Sequence, residues 1–224
     1  MPYLHLVRHG QPDFSGDYDS ITALGAQQSR WLGAHFAARG LRFARAVSGT
    51  LVRQADTCDL LLQGVADAPV PLRDARFNEY DHAHLLARFE GERLQALRRT
   101  GDRRGYFTAI RHALAQWSRH EGPTVDGESW ADFGARIRAG VAEACAGLER
   151  DDQVLIVSSG GVIGRFVADV LGAGADAAIQ LNLQTRNTGV TEAVRTRSGE
   201  LRLVAFNAVP HLEAADRVHA VTFS

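Results

Sequence analysis

Arg8, His9 and Gly10 close the apolar run Leu4–Val7, and none of the three is a residue a buried strand chooses for packing. Arg8 offers a planar fork of donors that fits two oxygens of a phosphate or carboxylate. His9 offers a nitrogen nucleophile that is partly unprotonated at neutral pH. Gly10 lets the chain turn and a ligand come close. Three more polar groups sit at comparable places: Arg53 after the turn Ser48-Gly49-Thr50, Glu79 after an extended piece near Val70–Leu72, and Ser159-Gly160-Gly161 after Val154–Val157. Two guanidinium forks can neutralise a phosphate dianion, and the free N–H groups of a Gly-rich helix start add donors. A histidine can attack phosphorus while a carboxylate protonates the leaving oxygen. The candidate catalytic pair is therefore His9 and Glu79, and the candidate phosphate contacts are Arg8, Arg53, Ser159 and Gly160.

Other constellations fit less well. Ser159 stands on a strand-to-helix turn as a hydrolase nucleophile does, but Val157 occupies the first glycine position of Gly-x-Ser-x-Gly. Gly160-Gly161-Val162-Ile163-Gly164 lacks the Gly-x-Gly-x-x-Gly spacing and comes late in the chain, which argues against a dinucleotide site. His82 and His84 flank Ala83 after Asp81 and have the form of a metal pair, yet no further ligand spacing accompanies them. They read as a polar pocket rim, in reach of helping Glu79 move a proton. His5 reads as a satisfied core or edge residue, and His35, His112, His120 and His219 as surface.

Strands alternating with helices must carry these groups. After the first strand comes a polar loop, Gln11–Ser20, then a helix capped by Thr22 with an apolar face of Leu24, Trp31, Leu32 and Phe36, ending at Gly40. A strand over Ala44–Ser48 leads into a helix from Leu51 towards Gly64, with Arg53 in its first turn. From about Leu85 to Glu121 the composition shifts: eight arginines (Arg88, Arg93, Arg98, Arg99, Arg103, Arg104, Arg111, Arg119) and few β-branched residues predict two helices broken at Thr100-Gly101-Asp102. Most of these arginines read as a solvated helix face, the alternative being the roof of an anionic pocket. Gly122-Pro123 ends the stretch. Ser129 and Asp132 form a capping box, followed by apolar residues at helical spacing from Trp130 through Phe133, Ile137, Val141 and Cys145 to Leu148. Val154–Val157 is a continuous apolar run of the central-strand kind. A helix from Val162 to Leu171 and two strands near Gly189–Val194 and Leu201–Phe206 complete the chain. The pattern predicts an α/β fold, a three-layer α/β/α sandwich with a mostly parallel central sheet, in a single domain over 1–224 with a helical cap insertion at about 82–125.

Composition narrows the classes. A 224-residue chain with 45% hydrophobic and 23% charged residues is ordinary for a globular protein. A net charge of −1 provides no basic excess for nucleic acid. No apolar run reaches membrane-spanning length, and Met1-Pro2-Tyr3 lacks the basic and apolar regions of a secretory signal, so the expectation is a cytoplasmic protein without a membrane partner. Cys58 and Cys145 fit no metal or redox spacing. All 25 basic residues are arginine. Without lysine, P-loop, Schiff-base and protein-kinase chemistry are excluded.

Taken in order, these motifs resemble the histidine phosphatase superfamily, the phosphoglycerate-mutase-like branch, over nearly the whole chain. Arg8-His9-Gly10 resembles its signature triplet, Leu51-Val52-Arg53-Gln54-Ala55-Asp56-Thr57 its second arginine motif, and Phe77-Asn78-Glu79 the segment supplying its acid/base glutamate. Gly127-Glu128-Ser129 resembles the turn after the cap, and Asn207 with His211-Leu212 the closing motif. The resemblance implies that His9 becomes phosphorylated, that Arg8 and Arg53 hold the phosphoryl group, and that Glu79 serves as acid and then base, without metal or cofactor. The family's fourth strand normally ends Val-Ser-His-Gly-Gly, whereas this chain has Ser159 in place of the second histidine. Losing one charge-assisted hydrogen bond costs roughly 1.5–3 kcal/mol, about one to two decades of rate. The expectation is a slower or retuned phosphatase acting on a small-molecule phosphate ester, with His82 and His84 available to compensate. The alternatives are phosphoglycerate-mutase-type transfer and a non-catalytic phospholigand binder. Against the mutase, the basic Trp-Arg-Arg-Ser-Phe stretch of its cap is matched only by Arg103-Arg104-Gly105-Tyr106-Phe107. Against the binder, a protein that only binds needs no nucleophile. The substrate and the oligomeric state are not legible in the sequence.

Overall fold

The computed structural model describes residues 1–14, 17–100, 103–120 and 127–223, with side chains described outside 92–104. Six strands, β1 (Tyr3–Arg8), β2 (Arg45–Ser48), β3 (Leu72–Arg73), β4 (Gln153–Ser158), β5 (Val190–Arg195) and β6 (Leu201–Ala208), form one sheet in the order β3-β2-β4-β1-β5-β6. The β1, β2, β3 and β4 strands pair in parallel, and β5 is antiparallel to both β1 and β6. The expected mostly parallel sheet is present. β1 and β4 lie at its centre, registered so that Arg8 faces Ser158 across the ladder.

Period-two alternation decides which face each central side chain covers. Leu4, Leu6, Val154 and Ile156 join one core with Phe133 and Ile137 of α5 (Trp130–Ala144) and Ile163 and Val167 of α6 (Gly160–Val170). Val7, Leu155 and Val157 join a second core with Leu32 and Phe36 of α1 (Ala23–Ala38) and Cys58 and Leu61 of α2 (Val52–Leu62). Both faces are covered, which is why β1 and β4 are continuous apolar runs. The helix starts follow the local chemistry. The Thr22 side chain accepts from the Gly25 N–H, Gly40 takes a φ of +66° past the end of α1, and Ser129 and Asp132 make the reciprocal capping box.

The helical excursion consists of α3 (His82–Thr100) and α4 (Arg103–Arg119), which pack on the first core through Leu85, Leu86, Leu114 and Trp117. The backbone of α3 leaves helical geometry at Glu90, a kink the sequence did not signal. The expected breaks at Gly101-Asp102 and Gly122-Pro123 lie outside the described residues, as do Ser15 and Gly16 of the loop Gln11–Ser20. Of the eight arginines in this stretch, Arg88, Arg111 and Arg119 are exposed, as a solvated face requires, and the side chains of the other five are outside those described.

Three expectations are corrected. The third extended piece pairs at Leu72–Arg73, slightly later than Val70–Leu72. The helix that was to reach Leu148 stops at Ala144, because Cys145 caps it and Gly147 takes a φ of +70°. A helix absent from the sequence reading, α7 (Ala175–Gln184), fills the gap between α6 and β5. Among the described residues no helix is long and apolar enough to cross a membrane.

Candidate active site

The carboxyl ends of β1 and β4 lie side by side at the middle of the sheet, where open α/β sheets hold their ligands. A cavity of about 310 Å³ opens there, lined by Arg8, His9, Arg53 and Glu79 together with Tyr80, His82, Asn182 and an aromatic outer wall. A larger groove of about 520 Å³ between α5, α6 and the β5–β6 hairpin contains none of the motif residues.

His9 is 1% exposed and its main chain is fixed on several sides. Its N–H donates to the Ser158 carbonyl at 2.9 Å, and its carbonyl accepts from Asn187 Nδ2 at 3.2 Å. The Gly10 N–H donates to Thr57 Oγ1 at 2.9 Å, and the Thr57 hydroxyl donates in turn to the Arg53 carbonyl at 2.7 Å. That explains the threonine four residues after Arg53: it joins the two arginine-bearing segments. A Cβ on Gly10 would stand 2.5 Å from the Gly25 carbonyl oxygen, so only glycine admits the close approach of α1.

His9 Nδ1 lies 2.8 Å from the Gly10 carbonyl oxygen, which only accepts, so Nδ1 carries the proton. Nε2 is left with its lone pair on a cavity-lining ring. Burial, reinforced by the Arg8 and Arg53 charges, holds the His9 pKa well below the usual 6.5 and keeps that lone pair unprotonated.

The two guanidinium groups are both 5% exposed. Arg8 donates to the Thr185 carbonyl at 2.5 Å. Arg53 pairs with Asp19 at 2.8 Å and lies over the Tyr18 ring at 5.0 Å, while its Nε is buried without a hydrogen-bond partner among the described residues. A buried, unsatisfied donor on a cavity-lining arginine is what an anion would complete.

Glu79 is held at both oxygens. The Gly161 N–H donates to Oε2 at 2.8 Å and the Tyr80 N–H to Oε1 at 3.2 Å. A Cβ on Gly161 would meet Oε1 at 2.2 Å, which accounts for the second glycine of the Ser159-Gly160-Gly161 turn. Arg136 donates to the carbonyls of Arg76 and Asn78, each at 2.7 Å, and is itself paired with Glu128. The conspicuous Glu128 thus acts through Arg136 to fix the segment that carries Glu79. Burial raises the Glu79 pKa against the opposing pull of the Gly161 N–H and the two arginines.

Ser159 and Gly160 are buried next to this site but do not line the cavity. Ser159 Oγ accepts from Gln54 Nε2 at 2.8 Å, and Gly160 packs against Asn182 and Thr185. His82 is on the cavity wall with its ring 5.1 Å from that of Tyr18, and burial, aided by Arg53, keeps it neutral. His84 is exposed. Among the described residues no group of three or more His, Cys, Asp or Glu could hold a metal. His5 is a core residue, buried against Phe36 and Phe43; its Nε2 bonds Gln153 Oε1 at 2.7 Å, while its buried Nδ1 has no hydrogen-bond partner among the described residues and lies 3.4 Å from Glu192 Oε1. His35, expected at the surface, is half-buried; His112, His120 and His219 are exposed.

Two closing-motif residues act from outside the cavity. His211 Nε2 pairs with the Thr188 hydroxyl at 2.8 Å, steadying a β-branched residue at a φ of +55° whose N–H donates to the Arg8 carbonyl at 3.1 Å. Asn207 holds the Gln184 carbonyl at the end of α7. Asn182, from the unforeseen α7, lines the cavity and donates to the Tyr80 hydroxyl at 3.1 Å.

The family model described as the histidine phosphatase superfamily (branch 1) matches residues 4–209. The chain belongs to this superfamily. A 2,3-bisphosphoglycerate-dependent phosphoglycerate mutase of Rhizobium johnstonii is 29% identical over 192 residues, covering 81% of this chain and 85% of that protein. Among solved structures, a mycobacterial glucosyl-3-phosphoglycerate phosphatase is 27% identical with a TM-score of 0.63, covering 92% of this chain and 98% of its own. A phosphoserine phosphatase of Entamoeba histolytica, solved with 3-phosphoglyceric acid, superposes with a TM-score of 0.66 over 95% of this chain and 100% of its own. Its 22% identity supports the shared fold alone. Relatives on this fold thus include both mutases and phosphatases.

Proposed function

We propose that this histidine phosphatase superfamily member hydrolyses a small phosphate monoester through a phosphohistidine at His9. The observation that carries the proposal is the Nδ1–Gly10 carbonyl bond, which leaves the Nε2 lone pair of a ring unprotonated in a cavity it shares with two buried arginines whose charges act on it. His9 Nε2 attacks phosphorus, the ester P–O bond breaks, and the departing alkoxide takes a proton from Glu79. Glu79, now ionised, takes a proton from water, whose oxygen attacks phosphorus and breaks the P–N bond, releasing inorganic phosphate and restoring His9. Arg8 and Arg53 hold the non-bridging oxygens, where charge is spread in the transition state.

Ser159 and Gly160 contribute through the first turn of α6, whose N-terminal end carries partial positive charge, in place of a second charged imidazole. The unit is a single domain, with α3 and α4 as the cap that closes over the substrate.

Phosphate release from p-nitrophenyl phosphate by wild type and by His9→Ala tests this reading. Wild-type turnover that falls to background in His9→Ala supports it. Binding of phosphate without turnover above that background would make the chain a phospholigand binder. Transfer of phosphoryl to 3-phosphoglycerate in preference to water would make it a mutase.

A further inference from the structure

The cavity has a charged inner end and an uncharged outer part. Arg8, His9, Arg53 and Glu79 occupy the inner end. Beyond them one wall comes from the loop after β1, where Phe14 packs on Tyr18 with ring centroids 5.2 Å apart and Tyr18 packs on His82 at 5.1 Å. Another wall comes from the cap, where α4 contributes Tyr106 and Phe107, their centroids 6.4 Å apart, and Ile110 one turn later. Phe14 leaves half of its surface, 50%, in solvent, and the cavity wall runs along it. Among the described residues the outer wall carries no charged group, since His82 is held neutral.

Such walls favour a ring that stacks or meets them edge-on, and they penalise an anionic group that must shed water there with no charged partner among the described residues. We propose that the site takes phosphate monoesters whose alcohol carries an aromatic or other flat apolar ring, and selects against those whose alcohol carries a carboxylate. The inference deepens the phosphatase reading and rests on it for the reaction but not for the binding preference. It separates this chain from relatives whose names specify phosphoglycerate.

The test uses 2-phenylethyl phosphate, n-propyl phosphate and 3-phosphoglycerate with the full chain. All three are esters of primary alcohols, so differences in kcat/KM report the fit of the alcohol. The phenylethyl ester is expected to exceed the propyl ester by about 10- to 100-fold, with 3-phosphoglycerate at or below the propyl ester. Phe14→Ala and Phe107→Ala are each expected to lower the phenylethyl-to-propyl ratio several-fold. Turnover of the esters with a ratio near one, or with 3-phosphoglycerate preferred, would overturn the substrate class and leave the phosphatase reading standing. If no ester is turned over, the phosphatase reading fails instead, and calorimetric binding of 2-phenylethylphosphonate and 3-phosphonopropionate decides the class. Tighter binding of the phenylethyl compound by the same factor would uphold it, and equal or weaker binding would overturn it.

Discussion

Ser159 and Gln54 make one unit, and restoring a histidine at 159 without altering Gln54 should fail. Gln54 is fully buried. Its Nε2 donates to Ser159 Oγ at 2.8 Å and to the Phe77 carbonyl at 3.1 Å, while its Oε1 has no hydrogen-bond partner among the described residues. The carboxamide therefore lies against the small serine, where an imidazole on residue 159 would have to go. Ser159→His alone overfills the site, at a cost of about 1–3 kcal/mol. For a chain of this length that lowers Tm by roughly 2–12 °C. Gln54→Ala alone loses two hydrogen bonds and leaves a void, again about 1–3 kcal/mol, and the Phe77 carbonyl keeps its bond from the Ser158 hydroxyl at 2.6 Å. In the double variant the imidazole takes the space of the carboxamide, so the two losses should fall short of additivity by about 1–3 kcal/mol. Thermal unfolding of the four proteins measures this coupling, and p-nitrophenyl phosphate turnover on the same samples measures the chemistry. Turnover should rise by about one to two decades in the double variant and by much less in Ser159→His, because only the former seats a charged donor without displacing its neighbours. Additivity within about 0.5 kcal/mol, or a full gain of activity in Ser159→His at unchanged Tm, would refute the reasoning.

The opposed pKa shifts of His9 and Glu79 shape the pH profile. In the proposed mechanism His9 works unprotonated, and its pKa is lowered, so the nucleophile is lost only as pH falls well below 6.5; Glu79 works protonated in the first step, and its pKa is raised, so the acid survives above the usual carboxyl range and is lost as pH rises further. Glu79→Gln should abolish the alkaline limb of kcat/KM and slow alkyl esters by about 10²–10⁴-fold, with a smaller loss for p-nitrophenyl phosphate, whose leaving group needs no proton; an alkaline limb that persists in the variant would assign it to another group. Burial holds the His211 pKa down to about 3, so between there and 6.5 the unfolded chain binds a proton that the folded chain does not. Stability should therefore fall on acidification through that window, with His211 contributing at most about 1.4 kcal/mol per pH unit. Denaturant titrations across pH should show a shallower slope in His211→Gln, and an unchanged slope would remove His211 from the explanation.

Where sequence was informative, the cause is local. The central strands β1 and β4 are covered on both faces, so their apolar runs are unbroken and the polar residues that end them stand out. Thr22, Ser129 and Asp132 declare helix starts through their own side chains. By contrast, α7 begins at Gly174 with no side-chain cap, and its short Ala-rich sequence gives no start signal. Asn182, which that helix carries into the cavity, is hidden with it. The partnership of Gln54 and Ser159 joins residues 105 apart, and only the fold brings β4 against the start of α2. The role of Glu128 is hidden in the same way, because it reaches Glu79 through Arg136. In the cap, Arg103-Arg104-Gly105-Tyr106-Phe107 reads as a basic stretch, whereas Tyr106 and Phe107 are the residues the structure turns into the cavity.

The most direct measurement is chemical trapping of the intermediate. The protein would be mixed with a ³²P-labelled phosphate ester, quenched in alkali within a turnover, and digested for peptide mapping. A base-stable, acid-labile phosphoryl group on the peptide containing His9, absent from His9→Ala and longer-lived in Glu79→Gln, is the predicted result. Ester hydrolysis that proceeds at the wild-type rate in His9→Ala, or label found on Ser159 instead, would contradict the phosphohistidine mechanism.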